Sequence, residues 1–134
     1  MVLLLQTEDG FSLFHDPLHN WLHARWVGRK NAEVMRQNYT EILQQVHQLK
    51  CLKLLNDSSE DQDGWSELTT WLANNCFPEL SQSGIQAVAW VLPKDVQAYR
   101  HTQQVLALTK VPLVDVFQDV DAAHEWLQKW PRQR

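Results

Sequence analysis

Three histidines, His15, His19 and His23, recur at every fourth position. On a helix that spacing would stack three imidazoles on one face and offer a metal ion a nitrogen-rich site. Pro17 and the strand-like residues around it disfavour such a helix, so the three read as edge or turn histidines. A second concentration of chemistry lies in the stretch 57–67, where Asp57, Glu60, Asp61, Asp63 and Glu67 supply carboxylates with no Lys or Arg among them. Ser59-x-Asp61-x-Asp63-Gly64 imitates the first half of a calcium-binding EF-hand loop. The last ligand position of that loop would fall on Thr70, so the bidentate Glu is missing, and no helix precedes it. The stretch reads as a solvated loop whose charges favour the positive end of a following helix. Phosphate on Ser58 or Ser59 would add charge to an already acidic segment, which repels unless an outside Arg cluster receives it.

His47, His101 and His124 lie apart, with no partnered nucleophile signature. The chain contains no GxSxG, no P-loop and no GxGxxG. Cys51 and Cys76 form no CxxC or Cys/His cluster and read as reduced thiols of a cytosolic protein. These residues lead to the expectation of a protein that is not an enzyme and that carries no cofactor and no metal. A hydrolase or isomerase site assembled from scattered residues would leave no linear trace.

Seven tryptophans in 134 residues are the one unusual compositional feature. Trp65, Trp90, Trp126 and Trp130 fall where the periodicity points to the core, and each buried indole then needs an acceptor for its N–H. The functional reading is an apolar or amphipathic ligand pocket lined by Trp21, Trp26, Trp65 or Trp71. A self-association surface is a third use for so many aromatics.

These side chains need a scaffold, and composition bounds it. With 44% hydrophobic and 21% charged residues, four Gly and five Pro, the chain fits one compact domain spanning residues 1–134 rather than a disordered or repetitive polymer. Its net charge of −4 gives no electrostatic footprint for nucleic acid or an anionic membrane. The N-terminal apolar run Val2 to Leu5 is too short for a secretory signal or a membrane span. The expectation is a cytoplasmic protein of bacterial style.

Turn residues at Asp9-Gly10 and Asp16-Pro17 divide the opening into strands near Val2–Gln6, Phe11–His15 and Asn20–Trp26. In the third, Trp21, His23 and Arg25 share one face, and Leu22, Ala24 and Trp26 the other. From Asn31, read as the N-cap, the recurrence of Met35, Tyr39, Ile42, Val46 and Leu49 predicts a long amphipathic helix. A buried strand over 51–56, the acidic loop Asp57–Gly64 and a second helix from Asp63 follow, with Pro78 and Gly84 bracketing the next connector. Ile85–Leu92 is apolar on both alternating sets, as a strand covered on both faces must be, and is expected to be the central strand. A third helix from about Lys94 to Thr109, with Pro93 in its first turn, precedes a strand over Leu113–Phe117. Asp119 or Asp121 caps a last helix with Ala123, Leu127 and Trp130 inward. The order predicts an α/β fold: a mixed sheet with an N-terminal antiparallel meander followed by strand–helix units.

This order resembles the STAS-like proteins, the family of anti-sigma-factor antagonists with its SpoIIAA-like and SEC14-like relatives. The resemblance is carried by Trp26-x-Gly28 before the long helix, Leu54-Leu-Asn-Asp57 at a strand end, and Ile85-x-x-Val88-Ala89-x-Val91-x-Pro93. It continues in Val116-Phe-x-Asp119 and Ala122-Ala-x-x-Trp126-Leu127, so that it spans roughly Leu13 to Trp130. It implies a SpoIIAA-like fold and a regulatory or protein-interaction module, and the SEC14-like relatives imply a carrier of a small apolar or lipid-like ligand as the alternative. In the anti-sigma antagonists a serine at the start of the helix after the corresponding strand is phosphorylated to switch partner binding. Here that helix start reads Asp63-Gly64, with Ser58 and Ser59 too early and Ser66 slightly late. The expected partner surface is therefore the acidic loop and helix start, with Asp57, Ser58, Ser59, Asp63, Gly64 and Trp65, engaging a protein partner or a second copy of the chain.

Overall fold

The computed structural model describes residues 1–63 and 65–131. Six strands form one sheet in sequential order: β1 (Val2–Gln6), β2 (Phe11–Asp16), β3 (Trp21–Arg29), β4 (Lys53–Gln62), β5 (Ala87–Val91) and β6 (Leu113–Phe117). The first three are antiparallel, and β3 to β6 run parallel. Helix α1 (Ala32–Leu49), a helical run over 66–82 (α2), α3 (Val96–Leu108) and α4 (Val120–Lys129) complete the described chain. The fold is α/β with a mixed sheet, an antiparallel meander leading into strand–helix units.

Gly10 shows why the first turn is tight. Its φ of +95° is open to glycine, and a Cβ there would collide with the carbonyl oxygen of Val27. Helix α1 starts where Asn31 Oδ1 accepts the Val34 N–H at 2.9 Å, and it stops where Lys50 adopts a left-handed φ of 54°. Asp95 and Asp119 cap α3 and α4 in the same way, accepting from the N–H of Ala98 and Ala122. The third helix thus begins at Val96, with Pro93 ahead of it rather than in its first turn.

The period-2 alternation of β3 divides the core. Leu22, Ala24 and Trp26 join the larger cluster, beneath α1, α2 and α3, whereas Trp21 belongs to a second cluster with Leu55, Ala87, Ala89 and Val91, covered by Ala123 and Leu127 of α4. All of β5 is buried. It is an inner strand, but one place in from the β6 edge, so β3 and β4 hold the centre that Ile85–Leu92 was expected to occupy.

Two further elements depart from the sequence expectation. The acidic loop is absent as such, because β4 continues through Asp57 to Gln62. Its pairing to β3 steps from Arg25↔Asp57 to Val27↔Glu60, so β4 carries one extra residue, a bulge at Ser58–Ser59. Polar composition concealed the strand because polar side chains such as Ser58 and Glu60 find their partners on neighbouring strands. The second helix begins at Ser66 rather than Asp63 and does not end at Pro78. Leu72–Cys76 is a π-helical segment in which the Phe77 N–H bonds the Leu72 carbonyl, five residues back. That widened turn admits the Pro78 ring, which would otherwise strike the preceding turn, and the proline takes a helix-start position where its missing N–H costs little.

Candidate functional site

The bulge sets the chemistry of the carboxyl end of β4. Upstream of it Lys53, Leu55 and Asp57 share a face with Trp21, and downstream the phase is reversed: Glu60 faces outward to Arg25 at 2.9 Å, and Asp61 turns into the protein. Asp61 is 2% exposed. Its Oδ2 accepts the Trp65 Nε1–H at 2.9 Å, and among the described residues its Oδ1 finds no partner. Burial pushes its carboxyl up to about 7, against the opposing pull of the Lys30 ammonium. Lys30 is itself 3% exposed and donates to the Val27 carbonyl at 2.6 Å; burial lowers its pKa, with Asp61 and Asp9 opposing. Nearby, His101 Nδ1 of α3 approaches Asp63 Oδ1 to 3.0 Å, and its ring meets Trp65 at 5.8 Å. A carboxyl tuned near neutrality suits acid–base work. Here it is closed off from solvent beneath the indole of Trp65.

The expected partner surface is largely interior. Asp57, Ser58 and Trp65 are 5%, 3% and 1% exposed. Asp57 Oδ1 accepts from both the Ser59 N–H and the Ser59 hydroxyl, and Ser58 Oγ accepts the Trp90 Nε1–H at 2.9 Å. Ser59 and Asp63 are half-buried, and Gly64 lies outside the described residues. Asp57, Ser58 and Trp65 thus spend their polar atoms on contacts inside the fold, and Ser59 and Asp63 keep part of their surface.

Nor do the four indoles of the expected pocket converge. Trp26 and Trp65 lie inside the larger cluster with Trp71 packed at its margin, and Trp21 is on the opposite side of the sheet. Trp26 belongs to an aromatic chain instead, with centroids 4.5 Å from Phe11 and 4.8 Å from Tyr39; Tyr39 leads on to Phe77 and Trp90. Trp65 and Trp90 are buried as expected, whereas Trp126 and Trp130 are only partly covered. Cys51 and Cys76 are buried and free. Burial raises both thiols, Cys51 to about 11, so neither is a ready thiolate nucleophile.

The other face of the sheet holds a cluster that linear spacing did not disclose. The expected trio separates: His15 bonds Asn20 at 2.9 Å, and His23, 9% exposed, has its pKa lowered by burial, with Asp57 opposing and His124 and Arg25 reinforcing the shift. His19 instead meets Asp16 and His124, and the three bring one donor atom each within 4.8 Å of one another. Asp16 stands at the end of β2, His19 in the turn and His124 on α4. Asp16-Pro17 was readable as a turn signal and His19 as a turn histidine, but nothing in the sequence joins them to a residue a hundred positions away.

Comparison with protein-family models, curated proteins and solved structures finds no match. The geometry of the chain therefore carries the functional reading.

Proposed function

We propose that this chain is a non-enzymatic, STAS-like interaction module, with a SpoIIAA-like arrangement of its sheet, that works through the open β1 edge and takes a second copy of itself as partner. One observation carries the reading: β1 is an edge strand of sequence Val-Leu-Leu-Leu-Gln, without charge or proline, in which Val2, Leu3 and Leu4 are 52%, 49% and 37% exposed. Edge strands of monomeric proteins are ordinarily blunted by charge, proline or distortion, because their free N–H and C=O groups recruit further strands. The β6 edge carries such protection. Pro112 precedes it, and the Asp115 carboxylate on the strand accepts the Val116 N–H at 2.9 Å. At β1 the protection is limited to an irregularity between Leu3 and Leu5.

A two-fold pairing of β1 with the β1 of a second copy would continue the antiparallel meander and bury the leucines of both, the self-complementary contact expected of an isologous dimer. Leu3 lies opposite Phe14 on the face where α4 packs over β4, β5 and β6, so the apolar ground beside the edge adds to the contact. A cytoplasmic setting fits two buried cysteines that remain thiols. Among the described residues no helix is long and apolar enough to cross a membrane. The alternative of an apolar-ligand carrier draws on the tryptophan excess, but its four indoles stand on two sides of a sheet.

Sedimentation velocity on the wild-type chain and on Leu3→Lys tests the reading. The wild type is expected to dimerise at micromolar concentration and Leu3→Lys to remain monomeric with an unchanged far-ultraviolet circular dichroism spectrum. A wild type that stays monomeric throughout, or a variant that dimerises equally well, overturns it.

A further inference from the structure

We infer that Asp16, His19 and His124 form a binding site for one divalent transition-metal cation of the zinc class. The donor set is one carboxylate and two imidazoles, the borderline nitrogen-and-oxygen combination such ions favour over the all-oxygen shells of magnesium and calcium. The three donor atoms lie within 4.8 Å of one another. Zinc bonds of about 2.0–2.1 Å at tetrahedral angles place ligand atoms roughly 3.3 Å apart, so small side-chain rotations close the site.

Several contacts hold the donors in place. Asp16 Oδ1 accepts the N–H groups of Leu18 at 3.0 Å and His19 at 3.2 Å, which fixes the carboxylate plane. Its other oxygen is 3.0 Å from His19 Nδ1. The Trp21 indole, 1% exposed, supports both rings: His19 stacks on it at 4.5 Å and 13°, and His124 meets it edge-on at 5.0 Å. Support of this kind for a ligand's orientation is what a metal site requires. The Asp16–His19 pair alone would be an ordinary ion pair, but it gives no role to His124, which among the described residues makes no side-chain hydrogen bond. The nearby ammonium of Lys53 is occupied by the carbonyls of Leu127 and Trp130 and does not compete for the carboxylate. The Asp16 and His19 side chains keep 13% and 24% of their surface, enough for an ion to enter and for water to complete its coordination.

A cation here would clamp the β2–β3 turn to α4, elements from opposite ends of the chain. It would stabilise the folded state by its differential binding.

The experiment uses the full chain freed of metal with a chelator, then titrated with Zn²⁺, with Co²⁺ as a spectroscopic probe and Mg²⁺ as a comparison. The expected result is one equivalent of Zn²⁺ bound with a rise in Tm, visible d–d bands of a low-coordinate Co²⁺ site, and no response to Mg²⁺. His124→Ala should weaken Zn²⁺ binding on the order of a hundredfold and abolish the bands. His47→Ala, at an exposed histidine on α1 outside the site, should leave both intact. Asp16→Asn, which keeps the oxygen that anchors the turn, should also lose the metal, and it covers the case in which His124→Ala does not fold. Failure of the wild type to bind an equivalent of Zn²⁺, equal binding by the site variants and His47→Ala, or Mg²⁺ bound as tightly as Zn²⁺ would overturn the assignment.

Discussion

Trp26 donates its indole N–H to Asn56 Oδ1 at 2.7 Å across neighbouring strands. The amide nitrogen of Asn56 in turn donates to the Tyr39 hydroxyl at 3.2 Å. All three are buried, Asn56 completely. One amide thus lets a tryptophan and a tyrosine pack in the interior without an orphaned polar group. Asn56→Leu removes the acceptor of Trp26 and the donor to Tyr39 together. We expect a loss of about 3 kcal/mol in urea-induced unfolding, the summed cost of stranding buried polar groups. A loss within error of zero would show that the network is dispensable.

Asp61 predicts a pH dependence of stability. Burial lifts its carboxyl from 3.8 to about 7 in the folded chain. Between those values the folded state holds a proton that the unfolded state has released, so stability falls as pH rises through the window and levels off above it. Asp61→Asn stays neutral and can still accept the Trp65 N–H. Its stability should be flatter across the window and should exceed that of the wild type above the upper value. Denaturant unfolding at both ends of the window measures this, and parallel profiles for the two proteins would count against a proton on Asp61.

Ser58 predicts the fate of a phosphate at the acidic segment. It is 3% exposed, and its oxygen is the acceptor for Trp90 Nε1. Ser58→Ala should cost about 1–3 kcal/mol by leaving that N–H unpaired. Ser58→Asp should cost more, because it places an unpaired charge at a position that is 3% exposed. At the half-buried Ser59, Asp loses the bond to Asp57 and repels it but keeps access to water, so the cost should be smaller. Thermal melts of the three variants rank these effects, and a Ser58→Asp variant as stable as Ser59→Asp would mean that the segment opens readily enough to serve as a switch.

How much of this was legible in the sequence depended on whether the physics was local. Periodicity placed α1, because the spacing of Met35, Tyr39, Ile42 and Val46 is a local consequence of helical geometry, and the cap at Asn31 is equally local. Strand alternation likewise assigned Trp21 and Trp26 to opposite faces. The extension of β4 was hidden because its polar residues find partners on distant strands: Arg25 for Glu60 and Trp90 for Ser58. Passage of α2 through Pro78 depended on a π-helical turn with no residue signature. The histidine site was least legible of all, since a helix of the last segment supplies its third member. His15 and His23, which the every-fourth spacing had grouped with His19, depart to other neighbours.

The additional residue in β4 acts as a phase shifter for the chain beyond it. Were the same residues paired to β3 without the bulge, Val27 would face Ser59, and Glu60 and Asp61 would exchange surroundings, bringing the arginine's ion-pair partner indoors and carrying the elevated carboxyl out to water. The bulge, more than the identity of either acid, decides which of the two adjacent carboxylates the protein keeps dry.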